Sequence, residues 1–170
     1  KLHGRDIDPA VLDQARASGL SKLDLSNVEI KDFVLEPPSS RFPALIANPP
    51  YVRHHRLSTE TKESLRNFAR KATGTHIDGR AGLHVYFLIR ALQVLEPQGR
   101  LAYIVSADIC EGVFAGPLWS WICAHYKIDA VVTFAAEAAP FPDVDTNAIV
   151  FLISNTKPEP TFKWIRCLER

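Results

Sequence analysis

Methionine is absent from all 170 residues, so this sequence does not open on a start codon. It opens on what reads as a strand, Leu2-His3-Gly4-Arg5-Asp6-Ile7-Asp8, and is expected to be a piece of a longer polypeptide. Cysteine is scarce. Cys110, Cys123 and Cys167 are odd in number and lack metal-ligand spacing, which argues against a disulfide framework and for reduced thiols in an intracellular protein. Neither charge sign dominates: a net charge of +1 at pH 7 excludes a global basic field, so contact with a polyanion must be local. No apolar run approaches the roughly 18 residues of a membrane span, and no signal-peptide pattern is present, so no membrane partner is expected.

What is there, at 46% hydrophobic, suits one ordinary globular domain. A helix fits Pro9 to Ser18, with Pro9 in its first turn and Gly19 beyond its end. Strands follow at Val28 to Lys31 and Ala44 to Ala47, separated by a turn at Pro37-Pro38-Ser39-Ser40. Within the polar stretch Val52 to Arg80, Ser58 caps a helix reaching Arg70. Leu83 to Leu95 is apolar nearly all round apart from His84, Arg90 and Gln93, the pattern of a buried helix ended by Pro97-Gln98-Gly99. A strand at Arg100 to Val105, a helix around Leu118 to His125 and strands at Asp129 to Phe134 and Ala148 to Ser154 complete the series, with a further strand within Thr161 to Leu168. Strands alternating with helices predict an α/β, Rossmann-like, doubly wound and mostly parallel sheet. The helix-free loop Ala135 to Asn147 predicts that the last pair forms an antiparallel edge.

Asn48-Pro49-Pro50-Tyr51 is the most informative segment, because ligands of open α/β sheets sit at strand carboxyl ends. Each proline fixes its own φ near −65°, and Pro49 biases Asn48 toward an extended conformation. Asn48 Oδ1 and the Pro49 carbonyl can both accept hydrogen bonds from one exocyclic amino group, while Tyr51 lies against the flat molecule that carries it. The same letters also suit a turn closing a strand, or a proline-rich ligand for a partner domain.

Three other segments fall at comparable places. Asp6-Ile7-Asp8-Pro9 ends a strand with a carboxylate able to accept two ribose hydroxyls, while Asp8 caps the next helix. Asp32-Phe33 pairs an acceptor for an adenine amino group with a ring, or is a turn aspartate beside a core phenylalanine. Pro140-Phe141-Pro142 offers either a second face for a slot opposite Tyr51 or a loop anchor.

Together with Leu95-Glu96-Pro97-Gln98-Gly99-Arg100-Leu101, these segments occur in the order and approximate spacing of adenine-N6 DNA methyltransferases that use S-adenosylmethionine. The branch that the chain most resembles includes the methylases of Eco57I-like and TaqI-like restriction–modification systems. The resemblance implies that Asp6 holds the cofactor ribose, that Asp32 holds its adenine amino group, and that Phe33 lies against that ring. Ile7 and Asn48 complete the cofactor-binding set. It also implies that Asn48, Pro49, Pro50 and Tyr51 are catalytic, gripping N6 of an adenine flipped out of double-stranded DNA, with Tyr51 and Phe141 stacking on the base. Residues 1–156 are then part of a catalytic domain in a cytoplasmic protein of bacterial or archaeal type, and 157–170 lead toward a recognition region. The sequence departs from the pattern in lacking the glycine-rich loop and its strand, in lacking the recognition region, and in carrying Gly82 where many relatives are acidic. Two exposed strand edges and an inactive fragment are expected.

Arg53-His54-His55-Arg56 follows the motif, and Lys62, Arg66 and Arg70, spaced by four, share one helix face. Arg53, Arg56, Lys62, Arg66 and Arg70 can grip DNA phosphates, or can simply be a solvated face. No metal site is expected, since His54 and His55 lack a third ligand at suitable spacing. A methyltransferase for release-factor glutamine or an RNA base, and a catalytically silent subunit, are the competing readings.

Overall fold

The computed structural model describes residues 3–141 and 147–169. Leu2 of the first expected strand and Pro142 of the Phe141 segment lie outside them. The chain divides into two compact units, Lys1–Ser39 and Ser40–Arg170.

In the first unit β1 (Gly4–Asp6) pairs in parallel with β2 (Val28–Ile30), and α1 (Ala10–Ala17) connects them. The helix begins where Asp8 Oδ1 accepts from the Ala10 amide at 2.9 Å. It ends before Gly19, whose φ of +98° is the left-handed conformation that glycine adopts without a Cβ penalty. Because the strands are parallel, their carboxyl ends share one lip: Asp6 is opposite Ile30, and the Lys31 amide donates to the Asp6 carbonyl at 2.9 Å.

The second unit is built on a five-stranded sheet of order β3-β4-β6-β5-β7, formed by Phe42–Ala47, Leu95–Ser106, Ala148–Ser154, Lys127–Phe134 and Lys163–Cys167 respectively. Its helices are α2 (Thr59–Thr73), α3 (Leu83–Gln93) and α4 (Ala115–His125). The α/β mixed sheet expected from the sequence is present, but the position of its antiparallel strand differs. β6 runs antiparallel to both β4 and β5 and lies between them, not at an edge. A hairpin pairing with β5 alone would leave one side of Ala148–Ser154 unpaired, whereas insertion satisfies both sides of an almost wholly apolar strand. The edges are β3 and β7. At the β3 edge Ile46 is 88% exposed, an unusual state for a parallel strand.

The helix α3 is buried over most of its length and holds the core with Leu65 and Ala69 of α2, Leu101, Tyr103 and Val105 of β4, and Ile149, Phe151 and Ile153 of β6. Its end also differs from expectation. It stops at Gln93, and β4 begins at Leu95 with hardly a break. Pro97-Gln98-Gly99 is an excursion within β4: the register jumps from Phe42–Leu95 to Ala44–Arg100, and Gln98 takes a φ of +67°. A Cβ on Gly99 would come within 2.9 Å of the Glu96 carbonyl oxygen, so the excursion closes only around glycine.

Candidate active site

Strand direction decides what meets at the sheet's lip. β3 and β4 are parallel, so Asn48 and Ser106 emerge on the same side; β6 is antiparallel, so its first residue, Ala148, pairs with Ser106 on that side. The Ala107 amide donates to the Asn147 carbonyl at 2.8 Å, tying the two segments together. Between them opens a cavity of about 740 Å³ bordered by Asn48, Tyr51, Arg53, His84, Asp108 and Phe141, among others. That size lies within the range of ligand-binding clefts, about 300–1,000 Å³.

Asn48 is exposed and Pro49 is buried, so the motif is anchored by one proline while its amide faces out. Tyr51, 48% exposed, donates its hydroxyl to Asn48 Oδ1 at 3.1 Å. The Leu83 amide donates to the Val52 carbonyl at 3.0 Å, which pins the chain after the motif to the start of α3. Asn48, Tyr51, Arg53 and Phe141, separated by up to 93 positions in sequence, thus border one cavity.

Two residues of this wall were not among those expected. His84 enters from the first turn of α3 and Asp108 from the short 3-10 turn Ala107–Cys110 after β4. Both were accessible to reasoning. His84 is one of few polar residues in an apolar helix, and Asp108 follows a strand's carboxyl end. Burial pushes the His84 imidazole below its usual range, and the Asp108 carboxylate partly opposes this. Burial, then Asp108, pushes the Tyr51 phenol up. Deeper in, burial raises the Tyr103 phenol well above its usual value, and its hydroxyl donates to the His84 carbonyl at 2.6 Å.

Of the expected phosphate-binding residues, Arg53 borders the cavity and Arg56 is exposed in the following 3-10 turn. On α2, Arg66 and Arg70 are exposed and Lys62 is half-buried. The helix starts as expected, with Ser58 Oγ accepting from the Thr61 amide at 3.1 Å. Arg80, also on the cavity rim, holds Asp78 through two contacts of 2.9 and 3.2 Å and draws its carboxyl down to about 2. Among the described residues no group of His, Cys, Asp and Glu is arranged to hold a metal ion, and no helix is long and apolar enough to cross a membrane.

In the first unit, Asp6 ends β1 and its Oδ1 accepts from the Asp8 amide at 2.8 Å. Ile7 is 72% exposed. Asp32 Oδ1 accepts from the Val34 and Leu35 amides at 2.7 and 2.8 Å, so it is a turn aspartate whatever else it does. Phe33 beside it is half-buried.

The chain has relatives in sequence and in fold. The sequence profile of the Eco57I restriction-modification methylases matches residues 4–141, most of the chain. The chain belongs to the Eco57I restriction-modification methylase family. Its match to the type II methyltransferase M.XamI of Xanthomonas campestris pv. amaranthicola is 33% identical over 150 residues, 85% of this chain and 28% of that protein. The match to M.XhoI of Xanthomonas vasicola is 29% identical over 146 residues, 86% of this chain and 25% of that protein. This Eco57I-family chain therefore spans about a quarter of the length of the curated relatives it matches. The fold of the Eco57I-family chain recurs in solved structures. A candidate class I S-adenosylmethionine-dependent methyltransferase of Listeria monocytogenes superposes with a TM-score of 0.73 at 12% identity, over 98% of this chain and 50% of that one. A type I restriction-modification methyltransferase subunit of Streptococcus thermophilus gives a TM-score of 0.70 at 16% identity, over 96% and 36%.

Proposed function

We propose that the protein transfers a methyl group from S-adenosylmethionine to N6 of an adenine flipped out of double-stranded DNA, within a restriction–modification or related modification system. The observation that carries this reading is that Asn48, Tyr51 and Phe141 border one cavity at the lip of the sheet. Family membership supports the reaction class, and the Asn48–Tyr51 motif supports a nitrogen acceptor.

The residues of the first unit fit the cofactor chemically. A carboxylate has about four lone-pair sites, so Asp6 retains acceptors for ribose hydroxyls after meeting the Asp8 amide. Asp32, with Oδ1 committed to its turn, offers Oδ2 to an adenine amino group, and Phe33 and Ile7 supply apolar surface. S-adenosylmethionine, when bound, would supply a methyl group on a sulfonium whose neutral thioether is a good leaving group, and the methylated N6, acidic as an ammonium, would lose its extra proton to water.

The protein's own task is position and electrostatics. Adenine N6 is a weak nucleophile because its lone pair is delocalised into the ring. Asn48 Oδ1 and the Pro49 carbonyl accept its two hydrogens, favour a tetrahedral nitrogen and stabilise the positive charge that develops there. Tyr51 and Phe141 sandwich the ring and offset part of the cost of unstacking it from the duplex. Arg53, Arg56, Lys62, Arg66 and Arg70 hold phosphates on either side. The partners are double-stranded DNA and the remainder of the protein's own polypeptide, and the present stretch alone is expected not to turn over.

The test is methyl transfer by the full-length protein to duplex DNA, RNA and release factor, with the product base identified. N6-methyladenine in duplex DNA is expected, and transfer confined to RNA or protein overturns the reading. Asn48→Ala is expected to cost about 10²- to 10³-fold in kcat, the scale for a group stabilising transition-state charge.

A further inference from the structure

Resting on that reading of the cavity, we propose that Arg80 grips a phosphate flanking the flipped adenine, and that Asp78 is the residue that positions it. Arg80 was not among the residues expected to meet DNA, yet it borders the cavity and 63% of its side chain is open to solvent. An incoming anion can therefore reach it. The Asp78 carboxylate takes the guanidinium side-on: Nε and Nη2 donate to Oδ1 and Oδ2 at 2.9 and 3.2 Å, and the Arg80 amide donates to Oδ1 at 2.9 Å. A guanidinium has five N–H donors, so both Nη1 hydrogens and the second Nη2 hydrogen remain. The edge formed by Nη1 and Nη2 is thus left whole, and it matches two phosphate oxygens. Because Asp78 already holds the side chain, less freedom is lost when the phosphate arrives.

The charge around Arg80 is in excess. The bond from the Leu83 amide to the Val52 carbonyl lays the segment carrying Arg53 against the one that follows Arg80. Arg66 reaches over from α2: a Cβ on Gly79 would stand 3.5 Å from its Cδ and 3.5 Å from its Nη1. Arg80 therefore has Arg53 on the same cavity wall and Arg66 beside the preceding glycine. Among the described residues neither of these two side chains has an ion-pair partner, so Asp78 leaves the patch positive. Asp108 and Glu111, from the end of β4, repel an anion from their own part of the wall. A nucleotide leaves the duplex by rotating about its flanking phosphates, which stay at the mouth of the pocket while the base enters.

The experiment measures kcat/KM of the full-length protein on duplexes in which each phosphate flanking the target adenine is replaced, one at a time, by an uncharged methylphosphonate. The native protein is expected to lose about 10- to 100-fold at one of the two positions, the scale of hydrogen bonds to a charged group. Arg80→Gln is expected to lose as much on unmodified DNA and to treat that methylphosphonate and the phosphate alike. Asp78→Ala tests the brace, because the two accounts of Asp78 differ in sign. A carboxylate that merely offset charge would, once removed, leave DNA bound more tightly; a positioning residue, once removed, lowers kcat/KM and blunts the discrimination. Asp78→Asn, whose Oδ1 can still accept from Nε, should fall between Asp78→Ala and the native protein. Indifference of the native protein to both substitutions, full discrimination kept by Arg80→Gln, or tighter binding by Asp78→Ala overturns the proposal. The product separates the two levels: no methyl transfer to adenine in duplex DNA removes the reading of the cavity itself, whereas ordinary adenine methylation without phosphate discrimination removes only the role of Arg80.

Discussion

Tyr51 donates its hydroxyl to Asn48 Oδ1 at 3.1 Å, across the two prolines that stiffen the chain between them. An amide oxygen has two lone pairs, so one can be held by the phenol while the other stays available to an incoming amine. The bond also sets the amide's orientation, turning its oxygen rather than its nitrogen toward the tyrosine.

Tyr51→Phe separates these effects from stacking. The ring remains, the amide loses its tether, and kcat should fall about 5- to 10-fold, as expected for the loss of one hydrogen bond. DNA and cofactor affinity should be nearly unchanged. Single-turnover methylation alongside equilibrium binding checks this, and an unaltered kcat removes the tether from the mechanism.

Gly82→Ala should destabilise the protein although the backbone there, at φ −71°, is ordinary. The added methyl runs into the His84 ring at 2.7 Å and sits 3.4 Å from the Val52 carbonyl. Overpacking of this kind costs about 1–3 kcal/mol. Urea denaturation should show the loss, and a midpoint equal to the native one would mean that the imidazole swings aside freely.

Acid should weaken the fold in two separate windows. The His84 imidazole is depressed below its usual 6.5 by burial, so below about pH 6.5 the unfolded chain binds a proton that the native one does not. Stability from this source is complete above pH 6.5 and falls as pH is lowered toward the folded value. Asp78, drawn from 3.8 to about 2 by Arg80, contributes above pH 3.8 and loses its contribution as pH falls through about 2. Melting temperature against pH should therefore flatten near pH 6 in His84→Phe, while Asp78→Asn should lower it above about pH 3.8 and leave it unchanged at the acid end, where the native carboxylate has already lost its contribution.

Asp6→Ala and Asp32→Asn should act on cofactor affinity before turnover, the reverse of Asn48→Ala. Asp32→Asn is the cleaner variant, because its Oδ1 can still accept from the Val34 and Leu35 amides while the charge is removed. Calorimetry with S-adenosylmethionine on the full-length protein measures this. Native affinity in both variants would detach the first unit from cofactor binding.

Much of the fold was readable because its signals are local. Ser58 as a cap, Gly19 beyond a helix end, and the apolar run at Ala148 to Ser154 each depend on near neighbours alone. The misplaced antiparallel strand and the excursion at Pro97-Gln98-Gly99 share the opposite cause. Both depend on which distant strand supplies the hydrogen-bonding partner, and no residue in β6 or in that tripeptide carries that information locally.

The same division runs through the site. The chain's own chemistry determined a rigid amide-and-carbonyl pair followed by an aromatic ring, because proline restricts φ wherever it stands. It also determined which strand ends carry acidic and aromatic groups. Only the tertiary structure decided that Phe141 would share a cavity with Tyr51, since that requires β6 to run antiparallel beside β4 and start at the same lip. It likewise decided that His84 would be buried with Nε2 unpaired among the described residues: Gly82 leaves room for its ring, Tyr51 stands beside that ring, and Tyr103 from β4 holds its backbone carbonyl.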